Sequence, residues 1–263
     1  MWFESFFRSV FKPESYEKRP VNSLVIAAVF VLLGFLFALF LWSSEFSIAM
    51  VAFATILLVP YALRVLGMEE FGKRFSGKKG TFSSHNKTIL FFLLVFAGMA
   101  IEYTLLFAFV PPSVGDLAFG KQISTISDIP QKYFLNMNFL SGILMNNLRL
   151  VFVSYILSLF YGIGALFILN YNASVVGMVY GATTRSLMWN WYTPAFTKIM
   201  LFLPHLITEV AAYLLAAIAG IILLRAMSAR GGPYLKHSLI ILATSVALIF
   251  IAGFLEVTVP FLF

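Results

Sequence analysis

The stretch Leu201–Leu224, LFLPHLITEVAAYLLAAIAGIILL, decides the fold. It is longer than the roughly 20 residues a helix needs to cross a bilayer, yet it carries His205 and Glu209. Ionisable groups inside a span are costly, so they face protein or a wet cavity and mark a functional site by default. Spaced i, i+4, the two share one helix face. Ala212, Ala216 and Gly220 continue that stripe as a small-xxx-small series, which lets another helix approach closely in lipid.

The rest of the chain has the same character. Of 263 residues, 61% are hydrophobic and 11% charged, against about 45–50% apolar in a soluble domain. The composition predicts an all-α, polytopic transmembrane helix bundle. The net charge of +7 resides in short loops between apolar runs, where it sets topology and gives no sign of a nucleic-acid partner. No cysteine is present, which excludes disulfides, thiolate nucleophiles and Cys-ligated metals.

Met1–Phe11 sets aromatic and aliphatic residues at helical spacing against Arg8 and Lys12, the pattern of an amphipathic helix in the membrane interface. Spans are expected at about Val21–Trp42 and Phe46–Val65, forming a hairpin. A basic loop follows to Lys87. Its GKRFSGKK, Gly72–Lys79, lacks the Ser or Thr after lysine and the strand-to-helix context of a phosphate-binding loop, so it reads as a solvated basic loop. This divides the chain into an N-terminal region, 1–87, and a core domain, 88–263.

A third span, about Thr88–Val110, contains Glu102 and stops at Pro111 and Pro112. The polar stretch that follows, with Tyr133, Phe134 and Phe139, suggests short helices at the membrane surface. The fourth span is expected to start at Asn146 and Asn147, with Arg149 one turn in, and to run to about Leu169. Asn170–Asn172 then reads as a tight turn. Ala173–Trp189 is either a short fifth span or a re-entrant element, which gives about seven membrane segments, or six if it does not cross. The stretch Leu201–Leu224 and a last span, about Leu239–Phe263 with Glu256, complete the set. If Ala173–Trp189 crosses, 13 of the 18 Lys and Arg fall on one side. The positive-inside rule then puts the N-terminus in the cytoplasm and the C-terminus outside the cell membrane.

Depth arithmetic at 1.5 Å per residue puts Glu102, His205, Glu209 and Glu256 at comparable depth, with Asn146, Asn147 and Arg149 joining from the fourth span. Such a layer of acids, histidine, arginine and amides fits a structural network, a proton relay, a cation path, or a divalent-cation site using His205 and Glu209. No HExxH signature is present for a metal site. Ser154, Ser158 and Thr208 are available hydroxyls for an intramembrane hydrolase, without a nucleophile elbow.

The core resembles the stage II sporulation protein M family. The resemblance rests on Asn146-Asn147-Leu148-Arg149, Gly162-Ile163-Gly164, Asn170–Asn172, His205 to Glu209, and Ala252-Gly253-Phe254-Leu255-Glu256, in that order, over about Thr88–Phe263. Ala173 and Leu206 stand where the family tends to have glycine. The N-terminal hairpin lies outside this resemblance. It implies a membrane component similar to those of the spore-engulfment machinery, with relatives in prokaryotes that do not sporulate. The leading expectation is a channel- or transporter-like protein whose polar cluster handles a cation or proton, embedded in lipid and dimeric through its small-residue faces. The alternative is a non-catalytic scaffold for envelope-remodelling or ATPase partners.

Overall fold

A computed structural model describes residues 20–41, 45–68, 86–127, 137–161, 165–189, 195–228 and 232–258. The interfacial helix expected at Met1–Phe11, the loop expected at Gly72–Lys79, and Tyr133, Phe134, Gly162 and Gly164 lie outside them. In chain order the helices are α1 Asn22–Leu41, α2 Phe46–Met68, α3 Asn86–Phe109, α4 Pro112–Ala118, α5 Gly120–Ser127, α6 Met137–Tyr161, α7 Leu166–Trp189, α8 Ala195–Ser228 and α9 Gly232–Thr258. No strand occurs among the described residues. In lipid the backbone must bond to itself, and helices do so within one segment.

Among the described residues, six helices are long and apolar enough to cross a membrane: α1, α2, α3, α6, α8 and α9. The sequence left open six or seven. The helix α7 is about 36 Å long but carries Asn170, Asn172, Thr183, Thr184 and Arg185, and it is not among the six.

The chain divides into two compact units, residues 1–123 with 170–182, and residues 124–169 with 183–263. This differs from the division at Lys87 read from the sequence. The hairpin α1–α2 belongs with α3 because the contact between α1 and α3 is intimate. A Cβ on Gly98 of α3 would collide with the backbone of Leu24 on α1, so only glycine permits this approach. The Ser23 and Tyr61 hydroxyls join α1 to α2 at 2.9 Å.

Two boundaries differ from expectation. Asn170–Asn172 is not a turn: α7 runs through it. Asn170 is fully buried, where its amide donates to the Val51 carbonyl and to Thr55 Oγ1, both at 2.9 Å, and accepts from the Tyr103 hydroxyl at 2.9 Å. An asparagine that meets its hydrogen-bonding demand on two other helices has no need of the local backbone bonds that make it a turn residue. Likewise α6 starts at Met137, not at Asn146, so Asn146, Asn147 and Arg149 lie in mid-helix and are not caps.

Two short helices, α4 and α5, follow α3, while Phe139, one of the aromatics that suggested short helices, lies in the long helix α6. Pro111 precedes α4 and Pro112 opens it, a position where the missing N–H is no loss. The start of α2 is fastened to this region: Ser47 Oγ donates to the Leu117 carbonyl at 3.4 Å, and Lys121 lies 3.4 Å from Glu45.

In the second unit α8 packs on both α6 and α9. A Cβ on Gly220 would meet the Tyr155 carbonyl of α6. On the α9 side, Ser245 Oγ donates to the Ala212 carbonyl at 2.7 Å and Ser238 Oγ to that of Ala219 at 2.9 Å. The Ala212, Ala216 and Gly220 stripe is therefore buried within the chain itself.

The two glycine environments predict opposite outcomes. Gly98→Ala is expected to destabilise the protein by about 2 kcal/mol through overpacking, while Gly142→Ala, with nothing within 4 Å of the added methyl, leaves stability unchanged or raises it by up to about 1 kcal/mol. Thermal unfolding of the two purified variants in detergent checks this.

Candidate functional site

The polar centre of the second unit is built from three helices. On α8, His205, Glu209 and Tyr213 recur every four residues and so lie along one face. On α9, Ala252 and Glu256 have the same spacing. The imidazole bridges the two helices: Nδ1 meets the Ala252 carbonyl at 3.0 Å, while Nε2 lies 3.1 Å from Glu209 and 3.5 Å from Glu256. His205 is 4% exposed and each carboxylate 15%.

Hydrogen-bond accounting constrains this arrangement. A carbonyl can only accept, so Nδ1 carries a hydrogen and donates it to Ala252. Nε2 then faces carboxylate oxygens, and two lone pairs in contact would repel. At least one proton is therefore shared between Nε2 and the acids, on one side or the other. With an imidazolium and two carboxylates the trio has a net charge of −1, and one further proton makes it neutral. A site with two such states separated by a single proton can take up and release that proton, or exchange it for a cation.

The network extends to α6. The Tyr213 hydroxyl, fully buried, donates to Glu209 and lies 3.2 Å from Asn147 Oδ1, which also accepts from the Asn146 amide at 3.3 Å. Asn147 is buried and Asn146 exposed. The phenol has a single hydrogen and cannot give it to Glu209 and Asn147 at once, so α6 borders this network without continuing it as a chain of donors.

Of the residues singled out from the sequence, the structure brings together His205, Glu209, Glu256, Asn147 and Asn146. Arg149 is exposed and lies about 200° around α6 from Asn147, given 100° per residue. The described ion pairs of Glu209 and Glu256 are with His205. Glu102 is half-buried on α3, in the other unit. His205 and Glu209, weighed as metal ligands, contact each other, and no group of three or more His, Cys, Asp or Glu among the described residues is disposed to hold a metal ion. Ser154 and Ser158 are fully buried on α6, and Thr208 donates to the Pro204 carbonyl. Tyr213 was not anticipated. An aromatic inside a span reads as apolar, although its spacing from Glu209 was the available signal.

With this geometry in view, comparison with known families is decisive. A family model described as Stage II sporulation protein M matches residues 23–259. The chain belongs to the stage II sporulation protein M family. The match takes in the α1–α2 hairpin, which the sequence resemblance had left out. No curated protein and no solved structure matches the chain. Family membership and the six apolar helices together make this an integral, multi-pass membrane protein.

Removing the ring should leave two buried carboxylates without their common partner. His205→Ala is expected to cost about 3 kcal/mol, and adding Glu209→Gln and Glu256→Gln to that background should recover part of it. Tyr213→Phe should cost only about 1 kcal/mol. Unfolding free energies of these variants in detergent or bicelles decide the order.

Proposed function

We propose that this protein is channel- or transporter-like and handles a proton, or a cation that competes for the same carboxylates, at the His205–Glu209–Glu256 trio. The observation that carries the reading is the position of Nε2 between two acidic side chains inside an apolar helix pair. A helix pair alone needs no charge to pack in lipid. Ser245 and Ser238 already fasten α9 to α8 through backbone carbonyls. Three ionisable groups sharing a proton beside that seam are more than packing requires. Tyr213 and Asn147 extend the polar contacts of the trio toward the exposed Asn146.

The orientation belongs to the same proposal: the N-terminus is cytoplasmic by the distribution of Lys and Arg, and the C-terminus lies outside if α7 crosses.

A scaffold role is the second reading. Its support is the tight seating of α8, whose apolar window is 72% buried, the largest share of the six spans. A rigid three-helix body of this kind suits an anchor for envelope-remodelling or ATPase partners.

Purified protein in liposomes loaded with a pH-sensitive dye separates the two. Under an imposed proton or cation gradient, the wild type is expected to conduct, and Glu256→Gln or Glu209→Gln to lower the flux at least tenfold while retaining the wild-type elution profile. Absence of flux under every gradient, with correctly folded protein, overturns the transport reading in favour of the scaffold.

A further inference from the structure

The two acids that face the His205 ring are equally exposed, at 15% each, yet they are hydrogen-bonded differently. Glu209 has a donor at each oxygen. Its Oε1 accepts from the Tyr213 hydroxyl, one turn further along α8, and its Oε2 lies 3.1 Å from His205 Nε2. Glu256 has a single contact of this kind among the described residues. Its Oε2 lies 3.5 Å from the same nitrogen, beyond the roughly 2.7–3.2 Å usual for an N–H···O bond, and its Oε1 has no partner there.

This difference decides where an added proton can sit. Hydrogen bonds donated to a carboxylate stabilise its ionised form, and they are about twice as strong as bonds between neutral groups. A proton placed on Glu209 would weaken two of them. A proton placed on Glu256 Oε1 breaks no bond to any described group. The phenol's one hydrogen has a rival acceptor in Asn147 Oδ1, at 3.2 Å. An ionised carboxylate outcompetes that neutral amide, so the hydrogen stays with Glu209 while Glu209 carries its charge.

Among the described residues, the ionisable groups that meet at this centre are His205, Glu209 and Tyr213 of α8 and Glu256 of α9. The helix α6 brings the neutral amide of Asn147, with Asn146 behind it and Arg149 turned away from Asn147.

We infer that the two acids have separate tasks: Glu256 takes up and releases the proton, Glu209 is a fixed counter-ion to the imidazolium, and Tyr213 is the positioning residue that maintains this division. The inference rests on the reading of the trio as a proton-handling site and assigns the roles within it. Uptake forms one O–H bond, on Glu256 Oε1, and release breaks it. His205 keeps both ring hydrogens and Glu209 stays a carboxylate in either state. A cation that replaces the proton meets the same Glu256 oxygen.

Solid-state NMR of 13C-glutamate, 15N-histidine protein in bilayers follows both carboxyl carbons over a pH titration. Contact with Nε2 picks the two out from the other glutamates, and Glu256→Gln tells one from the other. In the wild type the Glu256 carbon is expected to shift from its ionised to its protonated position on acidification, while the Glu209 carbon holds its ionised position over the same interval. In Tyr213→Phe, which removes one donor and little volume, the shift is expected to be divided between the two carbons. Movement of the Glu209 carbon in the wild type, or of neither carbon, overturns the assignment of roles. A Tyr213→Phe protein whose shift stays wholly on Glu256 overturns the part given to Tyr213. Flux in liposomes is judged separately. A wild type that conducts while Glu209 titrates overturns this inference alone, and one that titrates at Glu256 without conducting overturns the transport reading alone.

Discussion

The structure of the second unit depends on what lipid does to charge. A carboxylate in an apolar span is tolerated only if something shares or cancels its charge. Here one imidazole serves two carboxylates at 3.1 and 3.5 Å. The arrangement follows from three i, i+4 relations: His205 to Glu209, Glu209 to Tyr213, and Ala252 to Glu256. Because the Ala252 carbonyl fixes the hydrogen on Nδ1, the other nitrogen is committed to the acids. A structural bond thereby sets the chemistry of the site.

Close backbone approach makes these distances attainable. In lipid there is no hydrophobic drive between helices, and packing and polar contacts must suffice. Gly220 brings α8 against α6, and serine-to-carbonyl bonds hold it to α9. The first unit uses the same devices: Gly98 admits the α1 backbone, and Asn170 satisfies its whole amide on α2 and α3. In both units one buried polar side chain, Asn170 or His205, ties together helices that apolar contact alone would leave free to slide.

The spans were legible in the sequence because apolar length is a bulk property that survives errors of a few residues. His205, Glu209 and Glu256 were legible for a related reason: an ionisable group in an apolar run stands out, and depth follows from counting residues. What escaped were features decided by partners. Asn170 has the composition of a turn and the environment of a core, and nothing local distinguishes them. Asn146 and Asn147 look like a helix start, whereas apolar residues before them carry the helix back to Met137. Tyr213 is hidden by its own ring, since its hydroxyl matters only once Glu209 and Asn147 are beside it. Depth alone could not say which acids share a partner, because that is decided by packing: His205 meets both Glu209 and Glu256.

The central claim is that His205 shares a proton with two acids inside the membrane. With three histidines in the chain, the ring of His205 can be assigned by substitution, and solid-state NMR of 15N-histidine, 13C-glutamate protein in bilayers reads it directly. The structure predicts a hydrogen-bonded, protonated Nδ1 and through-space contacts from Nε2 to the carboxyl carbons of both Glu209 and Glu256. An unprotonated Nδ1, or an Nε2 in contact with neither carboxyl, would contradict it.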